Sequence, residues 1–262
     1  MCRFLAYLGP PATLHELLFA PEHSLVRQSY APRHQRHGTV NADGFGVGWY
    51  DRHRRPEPAR YRSDRPIWSD RSLASMAGLV ASTAVVAAVR SATPPAPVEE
   101  SGSPPFASGP WLFAHNGAVE GFAGAVGTAL RGLVSEGRVA QVEGSADSAV
   151  VFALVLDALD RGADPGAALA TALAAVEAVA PARLNLVLTD GTSIAATTCG
   201  DSLFVLDETG AGSDVGGRVT VASEPWDDDG RWREVPDRSL VTATRARVTV
   251  EPLPVPVPGP PG

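Results

Sequence analysis

At 262 residues, with 44% hydrophobic content and a net charge of −7, the chain is long enough to bury a sizeable core and too apolar to be a disordered polymer. The acidic balance argues against a nucleic-acid partner, which needs a basic face to follow phosphates, and no run approaches the ~20 consecutive apolar residues of a membrane span. The two cysteines, Cys2 and Cys199, form no C-x-x-C pair, so neither a disulfide nor a zinc or redox site is expected.

In chain order, Phe4–Leu8 reads as a strand that ends in a Gly-Pro-Pro turn. The N-terminus lacks the basic leader and long apolar run of a secretory signal, so a cytoplasmic protein is expected. Leu14–Phe19 reads as a short helix, and Phe45–Tyr50 as a strand whose glycines permit close backbone approach. The charged, proline-bearing Arg52–Asp70 reads as a surface excursion. Ser72–Ser82 predicts a helix, Ala84–Arg90 an apolar strand ending in a charge, and Thr93–Pro110 a long loop of the kind that carries function. Trp111–His115 is a further strand, followed by the polar turn Asn116-Gly117.

Ser145 or Asp147 is placed to cap a helix with Val150, Val151, Leu154, Val155 and Ala158 on one face. A second helix covers about Ala167–Ala180 and stops at Pro181. The short segments Leu184–Thr189, Ser193–Thr198, Leu203–Asp207, Val219–Ala222, Leu240–Ala243 and Val248–Val250 predict a second sheet built from hairpins. The domain is expected to span 1–252, with 253–262 a Pro-rich extended tail of no catalytic role.

Four features carry chemistry. Cys2 becomes the first residue once Met1 is removed, and its α-amine, with a reference pKa of about 7.7–8.0, can then act as base for its own thiol. Its alternative role is that of a buried strand cysteine. Arg90 ends an apolar strand, where a guanidinium fork suits a substrate carboxylate; a surface ion pair is the bland reading. Asn116 beside Gly117 offers two donors for an oxyanion, or merely a hairpin turn. Asp147 is either a helix cap or a partner for a substrate ammonium. His34 and His37 have metal-like spacing but no second ligand pair, and read as loop histidines, so no metal is expected.

Taken in order from Met1-Cys2 through Asn41–Tyr50, Val89–Thr93, Phe113–Gly117 and Gly144–Ser148 to Ala222–Asp227, these segments resemble class II glutamine amidotransferase (glutaminase) domains. The resemblance implies an α+β fold, the four-layer α/β/β/α sandwich of N-terminal-nucleophile hydrolases. Pro21–Leu25, Gln28–Tyr30 and Pro66–Asp70 are further similar to the γ-glutamyl amidohydrolases of ergothioneine biosynthesis within that family.

The resemblance implies Cys2 as nucleophile, Asn116 and Gly117 as oxyanion hole, Arg90 and Thr93 as contacts of the γ-glutamyl carboxylate, and Asp147 as partner of its ammonium group. His115 is then orienting or structural. It implies no cofactor and a small-molecule γ-glutamyl substrate as the only partner; oligomeric state is not legible. Three positions depart from the family pattern: His37-Gly38 lies upstream of the usual Arg-Gly, Ala149 replaces a common Glu, and Pro94-Pro95 follow Thr93.

Because a Pro-rich tail follows the glutaminase-like region, a self-contained hydrolase is expected. A glutaminase subunit serving a separate synthase and a non-catalytic γ-glutamyl-binding module are the alternatives. The leaving-group side is expected between the Ser101–Gly109 loop and the Arg27–Asn41 segment. Tyr30, Trp49, Trp68 and Trp111 are aromatic candidates for a cationic group there, with core packing as their default role.

Overall fold

The run Phe4–Leu8 is apolar at every position because the strand that carries it is covered on both faces. In the computed structural model, which describes residues 2–210 and 216–253, this strand is β1 (Arg3–Thr13). It is followed by α1 (Leu14–Leu18), α2 (Leu25–Gln28), β2 (Phe45–Trp49), β3 (Ala59–Ser63), α3 (Arg71–Met76) and β4 (Ala81–Val89). Then come β5 (Phe106–Ser108), β6 (Trp111–Val119), α4 (Ala125–Leu133), α5 (Glu136–Val139), α6 (Asp147–Asp160) and α7 (Pro165–Glu177). The chain continues through β7 (Ala182–Thr189), β8 (Ser193–Thr198), β9 (Phe204–Asp207), β10 (Val219–Ala222), β11 (Trp232–Glu234), β12 (Ser239–Thr244) and β13 (Arg247–Pro252).

The strands form a seven-stranded sheet, β11-β9-β10-β1-β4-β2-β3, and a six-stranded sheet, β13-β12-β8-β7-β6-β5. All the strand pairs are antiparallel. Period-two alternation sorts the side chains of β1 and β4 between two interiors. Phe4, Ala6, Leu8, Val86 and Ala88 meet Leu112, Ala114, Val187 and Val241 of the other sheet. Leu5, Tyr7, Val85, Ala87 and Val89 pack under Leu14, Leu17, Leu25 and Leu73 of α1–α3. A third interior joins the outer face of the six-stranded sheet to α4, α6 and α7 through Phe113, Leu130, Val151, Val155, Leu169 and Leu186. These are the four layers, α/β/β/α, that the family resemblance implies.

Several local expectations need correction. The excursion over Arg52–Asp70 contains the edge strand β3, paired with β2 from Phe45↔Ser63 to Trp49↔Ala59. The helix expected over Ser72–Ser82 ends at Met76, and the Ser82–Val86 run, rich in β-branched residues, extends β4 toward its start. The loop Thr93–Pro110 holds the short strand β5, and three helices went unread, the single turns α2 and α5 and the longer α4, which has no side-chain cap.

The late segments do not form one sheet. β9 and β10 join the first sheet, where β10 pairs with β1 from Leu5↔Ala222 to Leu8↔Val219, while β7, β8, β12 and β13 extend the second. Asn116 and Gly117 are not a turn. β6 runs on to Val119, with Asn116↔Asn185 and Gly117↔Leu184 paired to β7. Leu253, the first residue of the expected tail, is buried in the α4–α7 interior, and its N–H donates to the Arg238 carbonyl at 2.7 Å. Residues 254–262 of that tail lie outside the described residues, as does Met1.

Candidate active site

Antiparallel pairing of β1 with β4 sets Arg3 opposite Val89, which brings the residues just outside each pair, Cys2 and Arg90, to the same end of the sheet. There they open into a cavity of about 610 Å³. Thr93, Gly117 and Asp147 also line it, so five of the six expected site residues meet at one cavity. Cys2 is a free, half-buried thiol.

Arg90 is 5% exposed, and the backbone aims it. Its N–H donates to the Gly44 carbonyl at 2.7 Å, its Nη1 to the Asp43 carbonyl at 3.3 Å and its Nη2 to the Pro97 carbonyl at 3.1 Å. The Asp43 carboxylate in turn accepts the Ala92 N–H at 2.9 Å, closing the loop after β4 onto the turn before β2. That turn requires glycine: Gly44 has φ +120°, and a Cβ there would meet the Ser103 Oγ. Among the described residues Arg90 forms no ion pair, so its charge is held by carbonyl dipoles and remains free for an anion.

Asn116 is the sixth residue. It is fully buried behind Gly117 and does not line the cavity, and neither atom of its side-chain amide has a hydrogen-bond partner. Few buried polar groups in folded proteins are left so. Gly117 lies so close to β7 that a Cβ would overlap the Arg183 carbonyl oxygen, which excludes every other residue at this position. His115 Nε2 donates to that carbonyl at 3.0 Å, which leaves Nδ1 of a neutral ring to accept the Ser148 hydroxyl at 3.0 Å. His115 therefore ties β6 to β7 and to α6.

Asp147 is the first residue of α6 rather than its cap; the cap position is Ala146, without a side-chain bond. The carboxylate accepts the Val119 N–H at 2.9 Å and the Ser148 N–H at 2.7 Å, so it joins the end of β6 to the helix start and also meets the positive end of the helix. Thr93, just ahead of Pro94, is exposed.

The segments expected to wall the leaving-group side are not part of the cavity. Neither Arg27–Asn41 nor Ser101–Gly109 lines the cavity; Pro94–Pro97, Glu120–Ala123, Arg131 and Arg183 do. None of Tyr30, Trp49, Trp68 and Trp111 reaches it. Tyr30 and Trp68 meet edge to face at 5.7 Å on the surface, and Trp49 and Trp111 pack against the two helix-side interiors. The aromatic residue in the wall is Phe122, with the Arg131 guanidinium 4.9 Å from its ring centre. Sequence reading missed both because α4, which positions Arg131, carries no clear cap.

It also missed a buried charge cluster behind Cys2. Arg3 and Glu224 have no exposed surface and lie 3.7 Å apart. Glu224 Oε2 accepts from His23 Nε2 at 3.0 Å and from the N–H groups of Arg33 at 2.6 Å and His34 at 3.1 Å. Burial pushes the Glu224 carboxyl up, but the bonds from His23 and Arg33 and the charge of Arg3 outweigh it and hold it below the ordinary range. Asp201 stands 3.7 Å from Arg183, and burial raises its carboxyl despite the charges of Arg3 and Arg183. Cys199 is buried away from the cavity, its thiol pushed up to about 11 by burial and by Glu177.

Comparison with known proteins agrees with this fold. The family of class-II glutamine amidotransferases matches residues 21–210. The chain is 43% identical, over 97% of its length and 100% of the relative's, to a γ-glutamyl-hercynylcysteine sulfoxide hydrolase of Mycolicibacterium smegmatis. It is 41% identical, over 97% of both chains, to the protein of the same name in Mycobacterium tuberculosis. Among solved structures, a glutamine aminotransferase class-II domain protein from Silicibacter pomeroyi superposes with a TM-score of 0.69 at 27% identity, covering 97% of this chain and 100% of that one. The chain belongs to the class-II glutamine amidotransferase family.

Proposed function

We propose that this protein hydrolyses the γ-glutamyl amide bond of γ-glutamyl-hercynylcysteine sulfoxide, releasing glutamate and hercynylcysteine sulfoxide, and that it does so in the cytoplasm. The observation that carries the reading is the convergence of Cys2, Arg90, Gly117 and Asp147 on one cavity in a chain that aligns end to end with hydrolases of that name. The relatives do not favour a glutaminase that feeds ammonia to a separate synthase.

In this reading Arg90 forks the α-carboxylate of the glutamyl group and Thr93 adds a hydroxyl. Asp147 takes the α-ammonium. The Cys2 α-amine accepts the thiol proton, and the thiolate attacks the γ-carbonyl carbon. The Gly117 N–H and Asn116 Nδ2 donate to the carbonyl oxygen on which charge develops, a use for an amide nitrogen that folding leaves unpaired. The Cys2 α-ammonium returns its proton to the departing amine. Water then cleaves the γ-glutamyl thioester, giving glutamate and the free thiol.

The active protein should therefore begin at Cys2. Intact mass of active enzyme should show loss of one methionine, and Cys2→Ala should abolish release of glutamate while circular dichroism stays that of the parent. Full turnover by protein that still carries Met1, or by Cys2→Ala, would end this mechanism.

A further inference from the structure

Behind the nucleophile lies a set of ionised groups that the mechanism above does not use. Arg3, one residue from Cys2, is fully buried. Its Nε lies 3.7 Å from Glu224 Oε1 and donates to Gln35 Oε1 at 3.3 Å, and its Nη1 reaches the Ser202 hydroxyl at 3.5 Å. Glu224 is fixed in turn by His23 and by two backbone N–H groups of the segment after α2. The adjacent Ser223 exchanges bonds with Phe4 in both directions, at 2.9 and 3.0 Å, so the same short segment grips the start of β1 by backbone and by charge.

Burying an ion pair contributes little to stability, since the desolvation of both partners offsets their attraction; apolar residues of equal volume would serve as well. Charge beside Cys2 has a different consequence. The proposed reaction needs an amine that is neutral when the thiol ionises and charged when the product amine leaves. A buried guanidinium nearby favours the thiolate and disfavours the ammonium, and a buried carboxylate does the opposite.

We propose that Glu224 is a positioning residue for catalysis: it offsets the charge of Arg3 and so holds the amine and thiol of Cys2 in balance near neutral pH, while clamping the start of β1 in place. The inference rests on Cys2 as the nucleophile of the proposed hydrolysis. On the cavity side the charged and titratable groups that line the cavity with Cys2 are Arg90 after β4, His115 on β6, Glu120, Arg131 on α4, Asp147 on α6 and Arg183 on β7. Behind it stand Arg3, Glu224, His23 and Asp201, with Arg36 and His37 close to Asp201. The variants below leave every group on the cavity side unchanged.

The test reads Cys2 without substrate, so failure of the charge argument is distinct from failure of the substrate assignment. Alkylation of the processed protein by iodoacetamide, followed by intact mass against pH, reports the Cys2 thiolate; Cys199, buried and with its thiol pushed up to about 11, stays silent. The amine and thiol titrate as a coupled pair, so the observable is an apparent midpoint.

Glu224→Gln, which keeps an oxygen for the Arg33 and His34 N–H groups, should lower that midpoint by ~0.5–1 unit, and Arg3→Gln should raise it by a similar amount. The double variant should return to within ~0.3 unit of the parent, because the two charges act against each other. The acid limb of kcat/KM should move with the alkylation midpoint. Shifts of the same sign in both single variants, or no shift in either, overturn the proposal. If Glu224→Gln fails to fold, Arg3→Gln decides alone: an unchanged or lowered midpoint overturns it.

Discussion

Asn116 and Asn185 face each other across β6 and β7, yet they stand in opposite states. Asn185 is fully committed: its amide nitrogen donates to the carbonyls of Asp201 and Ser202, and its oxygen accepts from the N–H groups of Cys199 and Asp201. Asn116 has no partner at either atom. A buried amide that folding leaves unpaired is available to a group that arrives only during reaction. The two alanine variants should therefore separate cleanly. Asn185→Ala should lower stability by about 1–3 kcal/mol in chemical denaturation, because buried N–H groups lose their acceptor, and leave kcat nearly untouched. Asn116→Ala should lower kcat by roughly 10²–10³ with little change in the denaturation midpoint. If both variants lose stability and keep kcat, Asn116 is a structural residue and leaves the mechanism. The sequence contains both asparagines, but only Asn116 sits in a recognisable segment; the commitment of Asn185 depends on a turn sixteen residues later in the chain.

The segments that position these side chains were legible in uneven measure. β1, β4 and β6 announce themselves as apolar runs because both of their faces are buried, and α6 and α7 by helical spacing. What local pattern did not reveal is how far β6 continues. Asn116-Gly117 has the composition of a turn, but it continues the register of β6 with β7, and the missing side chain of Gly117 is what lets the strands approach. Gly117→Ala should cost stability at the upper end of the ~1–3 kcal/mol typical of overpacking, since the obstacle is the backbone oxygen of Arg183 rather than a movable side chain. A parent-like melting temperature for this variant would show that β6 and β7 are further apart than described. The turn between β7 and β8 has its own acid sensitivity. Burial pushes the Asp190 carboxyl up, but bonds from the N–H and hydroxyl groups of Thr192 and Ser193 outweigh it and hold it below the ordinary range. A carboxyl depressed by folding stabilises the protein above its unfolded pKa of ~3.9 and loses that contribution as pH falls through the folded value. Asp190→Asn should thus be less stable than the parent at neutral pH, with the gap closing as pH falls below the unfolded pKa of the carboxyl. A gap that stays constant across this range would assign the effect to lost hydrogen-bond geometry alone.

How the two sheets stack decides which residues share the cavity, and this is the part that no local pattern contains. The assignment of β9 and β10 to the sheet of β1, rather than to that of β7 and β8, brings Ser202, Ser223 and Glu224 behind the nucleophile. In the proposed reading the same stacking leaves the cavity larger than a glutamyl group requires. About 610 Å³ is the size of a pocket for a drug-sized ligand, and its lining includes Phe122, Arg131 and Glu120. Among the described residues neither Arg131 nor Glu120 is in an ion pair. A leaving amine that carries carboxylates and a quaternary ammonium matches this set: a guanidinium for the one, a carboxylate and an aromatic face for the other. Glutamine, whose leaving group is ammonia, can use none of it. Contacts with that wall that strengthen as the amide bond breaks raise kcat as well as affinity. We therefore expect kcat/KM for γ-glutamyl-hercynylcysteine sulfoxide to exceed that for glutamine by at least ~100-fold, or about 2.7 kcal/mol. Arg131→Ala should remove at least ~10-fold of that preference by lowering the larger value, while glutamine hydrolysis stays as it was. Arg90→Lys should damage both substrates alike, because the fork it replaces binds the part they share. Equal efficiency on the two substrates in the parent would return the protein to the glutaminase reading, and an Arg131→Ala variant that loses both activities equally would move Arg131 from the leaving-group wall to the glutamyl end.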